Sequence, residues 1–197
     1  SKAFSNDHRE IKRIKELGLT FKPYNEVVGE ITAKFDTISV CGTHGKTTTS
    51  TMITDILKDK GVNYFIGDGS GYAKRDNKLF VIESCEFKRH FLSYSPYLAV
   101  VTNIELEHTE CYSGIEDIIE TFNKFVNKAK IVVACGDDIN VCKLKTNNKV
   151  YHYGFKTNND IYATNIIMNE AGSDFDVFYN KNFLGHFHMP LVGKHMI

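Results

Sequence analysis

Apolar positions along the chain recur first at helical and then at strand spacing. Ile11, Ile14 and Leu17 share one helical face, and Gly18 supplies a stop, so residues 8–17 read as a short amphipathic helix. Leu19–Lys22 reads as a strand, Pro23-Tyr24-Asn25 as a turn, and Glu26–Lys34 as a second helix. The pattern becomes regular after Asp36. Thr37–Cys41 is a β-rich apolar run that ends in the loop Gly42–Lys46. A helix is expected from Thr47 to about Lys60, with Met52, Ile53, Ile56 and Leu57 on one face and Gly61 ending it. Val62–Ile66, Leu79–Glu83, Leu98–Asn103 and Ile131–Cys135 read as strands, and Gly67–Gly71 as a flexible loop. Ile115, Ile118, Ile119, Phe122, Phe125 and Val126 form one stripe of a helix over 115–128, and a short helical stretch is expected near 139–145.

Continuous apolar strands alternating with helices imply an α/β fold, a mostly parallel sheet with helices on both faces. After Val150 the pattern changes. Ile161–Met168, Asp174–Tyr179 and Phe183–His188 read as short strands joined by tight turns, a small C-terminal antiparallel meander at the sheet edge or packed beside it.

Composition narrows the functional classes. A chain of 197 residues holds one domain, or one domain with part of another. Lys plus Arg equals Asp plus Glu at 24 each, so the net charge is zero. That excludes a broad basic surface for nucleic acid or anionic membrane and leaves room for a local anion site. No apolar run reaches the ~18 residues a transmembrane helix needs. Ser1–Glu10 is polar and has no hydrophobic core of a signal peptide, so a cytoplasmic location is expected. The cysteines Cys41, Cys85, Cys111, Cys135 and Cys142 form no CxxC pair and read as reduced thiols, with Cys41, Cys85 and Cys135 packing as small hydrophobes.

Three segments carry candidate chemistry. Gly42-Thr43-His44-Gly45-Lys46-Thr47-Thr48 follows a strand and opens a helix, where backbone N–H groups and the helix dipole can surround a phosphate. Lys46 can neutralise phosphate oxygens, and the Thr47 hydroxyl can ligate Mg²⁺. The string lacks the first glycine of the longer phosphate loop, since Cys41 stands before Gly42. Glu83 ends an apolar strand, where a second magnesium ligand belongs. Glu86 and the run Lys88-Arg89-His90 follow it; Arg89 is one of only four arginines, and it reads either as a solvated helix face or as an anion contact. Thr102-Asn103-Ile104-Glu105-Leu106-Glu107-His108 sits at another strand end and brings a histidine to the same edge.

Together these segments resemble the Mur ligase family of ATP-dependent amide-forming enzymes. The likeness rests on Gly42–Thr49, on Glu83–Leu92 and on Thr102–His108. Ile66–Gly71, Tyr153-Gly154-Phe155 and Pro190–His195 resemble one branch of the family, which implies addition of L-alanine to UDP-N-acetylmuramate in peptidoglycan precursor synthesis; the alternatives are a ligase that attaches a preformed murein peptide, a folylpolyglutamate synthetase, or a non-catalytic ATP-binding fragment. The resemblance implies that residues 1–35 are the tail of an N-terminal UDP-sugar-binding domain. It implies that 36–197 are a central ATPase domain, incomplete at its C-terminus, in a fragment of a longer protein. ATP and Mg²⁺ are the implied cofactors, and no nucleic-acid or membrane partner is expected. Lys46, Glu83 and His108 are the implied catalytic groups. Gly42, Thr43, His44, Gly45, Thr47, Thr48, Asn103 and His195 are the implied nucleotide contacts. Thr47, Glu83 and His108 are the implied metal ligands, with Asn103 supporting the second site. Glu86, Arg89 and His90 are candidate substrate contacts. The chain departs from the family at Met196, where members often carry Asn, and has Phe122 where several related ligases carry a carbamylated lysine.

Overall fold

The computed structural model describes residues 7–197, so the first six residues of the expected 1–35 unit lie outside the described residues. Helices α1 (Arg9–Glu16) and α2 (Tyr24–Thr32) precede the sheet. Then follow β1 (Asp36–Cys41), α3 (Lys46–Leu57), β2 (Val62–Phe65), β3 (Gly71–Tyr72), β4 (Leu79–Glu83) and β5 (Leu98–Val101). α4 (Ile115–Val126), β6 (Ile131–Cys135), β7 (Lys149–Gly154), β8 (Ile161–Asn169), β9 (Gly172–Tyr179) and β10 (Asn182–Met189) complete the chain.

One ten-stranded sheet runs in the order β10-β9-β8-β7-β6-β5-β1-β4-β2-β3. It is parallel from β8 to β2, and antiparallel only at β8-β9-β10 and β2-β3. The α/β expectation and the meander at the sheet edge both hold. β1 lies between β4 and β5, so the chain leaves it toward one side and later returns on the other. In doubly wound sheets that reversal opens a crevice at the carboxyl ends of the strands. The phosphate-loop segment leaves from that end of β1.

Several local expectations are corrected. Leu19–Lys22 forms no strand: among the described residues none pairs with it, and Leu19 and Phe21 lie exposed. The helix expected to reach Lys60 closes as α3 at Leu57 with a 3₁₀ turn at Lys58–Lys60, and Ile56 is 78% exposed. The stretch near 139–145 is only a 3₁₀ turn at Val141–Lys143. β7 was not anticipated. Its alternation Lys149-Val150-Tyr151-His152-Tyr153 is too polar to register as a buried strand, yet it pairs with β6 across five residues. Cys41 packs as a small hydrophobe at 0% exposure, but Cys85 lies exposed and Cys135 half-buried.

The main core lies between the sheet and α4. Phe122, Phe125 and Val126 are fully buried there, and Phe91 stacks on Phe125 at 4.4 Å between ring centroids. Phe91 comes from the 3₁₀ segment Phe87–Ser93, which follows directly on Glu86. The core therefore fixes the chain beside the candidate site. α2 joins the same core through Val28, and Gly29 lies so close to Ser93 that an added Cβ would fall 2.2 Å from the Ser93 carbonyl oxygen.

Candidate active site

Two glycines shape the loop between β1 and α3. Gly42 has φ +138°, and a Cβ there would lie 2.1 Å from Thr102 Oγ1, so the loop and the end of β5 touch backbone to side chain. Gly45 is left-handed (φ 79°) and begins α3 with no side-chain cap, which leaves the first-turn amides open to an anion. The loop is tied down from the β5 end. Thr102 Oγ1 donates to the His44 carbonyl at 2.7 Å, and the Asn103 amide both accepts from His44 N–H (2.8 Å) and donates to its carbonyl (3.1 Å). Thr43 Oγ1 accepts from Glu105 N–H at 2.8 Å. Asn103, expected beside a metal, thus spends its amide on holding the loop.

Lys46 and Thr47 leave the first turn of α3 toward β4. The Lys46 ammonium donates to the carbonyls of Gly42 (2.6 Å) and Thr43 (2.9 Å) and pairs with the Glu86 carboxylate at 3.3–3.4 Å. Thr47 Oγ1 donates to Glu83 Oε2 at 2.7 Å, and the Gly67 N–H donates to the same oxygen at 2.9 Å. The hydroxyl and carboxylate expected to share a magnesium ion therefore already meet. Both are hard oxygen donors of the kind that ion takes.

Gly67 came from a loop read only as flexible. A Cβ on it would lie 2.6 Å from both Glu83 carboxylate oxygens. Its φ is ordinary, so the effect of Gly67→Ala is steric. We expect that variant to displace Glu83 from Thr47, to weaken Mg²⁺-dependent nucleotide binding about tenfold or more, and to leave thermal unfolding within a few degrees of the parent. A Mg²⁺ titration of nucleotide binding checks it.

Across the crevice, Glu86, Glu107 and His108 bring one donor atom each within 4.8 Å of one another. His108 is left-handed (φ 53°), with Nε2 3.7 Å from Glu86 Oε1 and its ring 5.0 Å from Phe87. Glu86 is 3% exposed, and its Oε2 takes no hydrogen bond among the described residues. An unsatisfied buried carboxylate oxygen facing two further donors fits a divalent cation. His44 lies 3.7 Å from Glu107 and 3.8 Å from Glu105.

Arg89 is paired even though 37% of its side chain is exposed. Its guanidinium grips both Asp117 carboxylate oxygens at 3.0 Å, bonds Thr121 Oγ1 and stacks 4.8 Å from the centroid of the Tyr112 ring. The Ser113 amide and then the guanidinium hold the Asp117 carboxyl below the usual carboxylate range. Burial pushes the Tyr112 phenol up, so it stays protonated and donates to the Glu86 carbonyl at 2.5 Å. Lys88 and Arg89 are both left-handed (φ 49° and 59°), so these contacts fasten a strained turn that aims Glu86. His90 packs near the Phe87 ring. Tyr112 and Asp117 carry no motif signal that separates them from ordinary loop and helix positions, whereas Thr102 opens the Thr102–His108 segment.

A cavity of about 890 Å³ opens beside the loop, lined by His44, Thr48, Asn103, Tyr153, Phe155 and His195 among others. The structure thus brings His195, distant in sequence, to the same cavity as the loop. No helix among the described residues is long and apolar enough to cross a membrane.

A UDP-N-acetylmuramate–L-alanine ligase of Lacticaseibacillus paracasei is 41% identical over 197 residues, which cover 99% of this chain and 45% of that protein. The corresponding protein of Lacticaseibacillus casei is 40% identical over the same span. The chain spans about half the length of these curated relatives. Among solved structures, the UDP-N-acetylmuramate–alanine ligase of Thermotoga maritima matches with a TM-score of 0.85 at 22% identity, over 98% of this chain and 46% of that one. A UDP-N-acetylmuramate:L-alanyl-γ-D-glutamyl-meso-diaminopimelate ligase of Neisseria meningitides matches at 0.82 and 22%, over 97% and 67% of the two chains. At these identities the structural likeness shows the fold. The model of the Mur ligase middle domain matches residues 40–197, more than half of the chain, and the chain belongs to the Mur ligase family.

Proposed function

We propose that this chain carries the ATP-binding site of a ligase that joins L-alanine to UDP-N-acetylmuramate in peptidoglycan precursor synthesis, in the cytoplasm. The observation that supports this reading is the meeting of Lys46, Thr47 and Glu83 at the N-terminus of α3, with Glu86 and His108 facing them. The alanine ligases at 40–41% identity favour that substrate pair.

The chemistry follows from the reactants. A carboxylate resists attack by an amine because oxide is a poor leaving group. Transfer of the ATP γ-phosphoryl to the lactyl carboxylate gives an acyl phosphate; the alanine amine then attacks its carbonyl carbon, and inorganic phosphate leaves as the amide forms. Both reactants of the first step are anions, so the site must position them and neutralise charge. Lys46 would leave the Gly42 and Thr43 carbonyls for the transferred phosphoryl group. Gly45 and the open amides of α3 would receive the phosphates beside it. Thr47 and Glu83 would hold one Mg²⁺, and His108 with Glu86 a second. When bound, these ions neutralise phosphate charge and polarise the phosphoryl oxygens. Asn103 and Thr102 keep the loop in register, and Arg89 with Asp117 keeps Glu86 aimed at the site. His195 and Thr48 border the cavity in which the rest of the nucleotide would lie.

The acceptor is tested directly. The full natural protein is mixed with ATP, Mg²⁺, UDP-N-acetylmuramate and either L-alanine or a preformed murein peptide, and phosphate release is followed. Release with alanine and not with the peptide is expected; the reverse would assign the chain to a peptide-adding branch.

A further inference from the structure

Glu86 has neighbours on two sides with different claims on it. On one side its carboxylate pairs with the Lys46 ammonium at 3.3–3.4 Å, and these side chains are only 4% and 13% exposed. On the other side it completes the cluster with Glu107 and His108. Oε2 lies 3.3 Å from the ammonium without forming a hydrogen bond, so the pairing with Lys46 leaves part of the carboxylate unsatisfied. A buried carboxylate stripped of its only strong counter-ion is costly. A phosphate that draws Lys46 away therefore leaves Glu86 uncompensated unless another cation replaces the ammonium.

We infer that Glu86 is a counter-ion latch: it holds Lys46 against the loop carbonyls in the nucleotide-free protein and yields it when a divalent cation enters between Glu86, Glu107 and His108. The latch rests on the nucleotide reading above and adds to it a coupling between cation and nucleotide that resides in one side chain. Nucleotide without a divalent cation must break the Lys46–Glu86 pair with nothing in return. Nucleotide with the cation exchanges one counter-ion for another. Coupling between two ligands at this level commonly amounts to about 5–150-fold in affinity. The strained turn at Lys88 and Arg89 serves the latch by fixing where Glu86 points, through Tyr112 on its carbonyl and Asp117 on Arg89.

The test is calorimetric and needs no turnover. A non-hydrolysable ATP analogue is titrated into the full natural protein, once with EDTA and once with Mn²⁺. Glu86→Gln keeps the shape and removes the latch charge. We expect it to bind the analogue about tenfold tighter than the parent in EDTA and to gain at least fivefold less from Mn²⁺. Glu107→Gln also removes a negative charge from the crevice but none from Lys46. It is expected to match the parent in EDTA and to lose part of the gain from Mn²⁺. Glu86→Asp, one methylene shorter, keeps the charge while loosening Lys46, and its affinity in EDTA is expected to rise as well. Equal affinities of the parent and both Glu86 variants in EDTA would overturn the latch, as would an equal rise in Glu107→Gln, which would mark a plain charge effect. A parent protein that binds no analogue even with Mn²⁺ would overturn the nucleotide reading itself, and the latch with it.

Discussion

Replacing Lys46 with alanine is expected to lower alanine-dependent ADP release by about 10²–10³-fold or more, the range typical for removing one preorganised charge-stabilising donor. The same substitution carries a structural cost, because it strands Glu86. Removing one partner of a buried ion pair costs roughly 3–5 kcal/mol, and Glu86 is buried at 3% exposure with Lys46 as its closest cation. The two effects separate in the double variant Lys46→Ala/Glu86→Gln, which leaves no unpaired charge. It should recover most of the lost stability in thermal unfolding and none of the lost turnover. Recovery of turnover would mean that Lys46 serves the fold and not the phosphoryl group.

Gly42→Ala is expected to have the second largest effect. An added Cβ would lie 2.1 Å from Thr102 Oγ1 and 2.9 Å from the Asn103 carbonyl oxygen, at a φ of +138° that side chains rarely adopt. Overpacking costs about 1–3 kcal/mol, and a strained backbone position adds roughly 1–3 kcal/mol. The loop cannot yield without breaking the Thr102 and Asn103 bonds to His44. A loss of about 2–6 kcal/mol in denaturant unfolding, together with loss of nucleotide binding, is the expected result. Gly45→Ala is the comparison. It has open space around the new Cβ but a φ of +79°, so it should cost backbone strain alone.

Much of this site is legible from the sequence, because phosphate chemistry demands local strings. A strand, a glycine turn, a lysine and a threonine must be contiguous for the amides and the ammonium to converge, so Gly42–Thr48 is visible as a unit. Glu83 and His108 are visible for a related reason, since each follows an apolar run that ends at the same sheet edge. The groups that position these residues are harder to see. Asp117 is one acid in the first turn of α4, and only the fold brings it to Arg89, 28 positions earlier. Gly67 lies in a loop rich in glycine, and its contact with Glu83 depends on β2 and β4 being neighbours. β7 escaped for a different reason: its alternating polar residues suit a strand whose exposure is intermediate along most of its length, not a buried one. Arg89 stands out in the sequence for its rarity, as a solvated helix face or an anion contact. The structure gives it Asp117 and Thr121 as partners, a role that its sequence neighbours do not disclose.

A site that activates a carboxylate by phosphorylation leaves an isotopic record in the phosphate it releases. UDP-N-acetylmuramate labelled with ¹⁸O in its lactyl carboxylate is converted by the full natural protein with ATP, Mg²⁺ and L-alanine, and the inorganic phosphate released is examined by mass. An acyl phosphate requires one carboxylate oxygen to depart with the phosphoryl group, so the account predicts one ¹⁸O atom in each phosphate formed. Unlabelled phosphate, or label appearing in AMP, would contradict it.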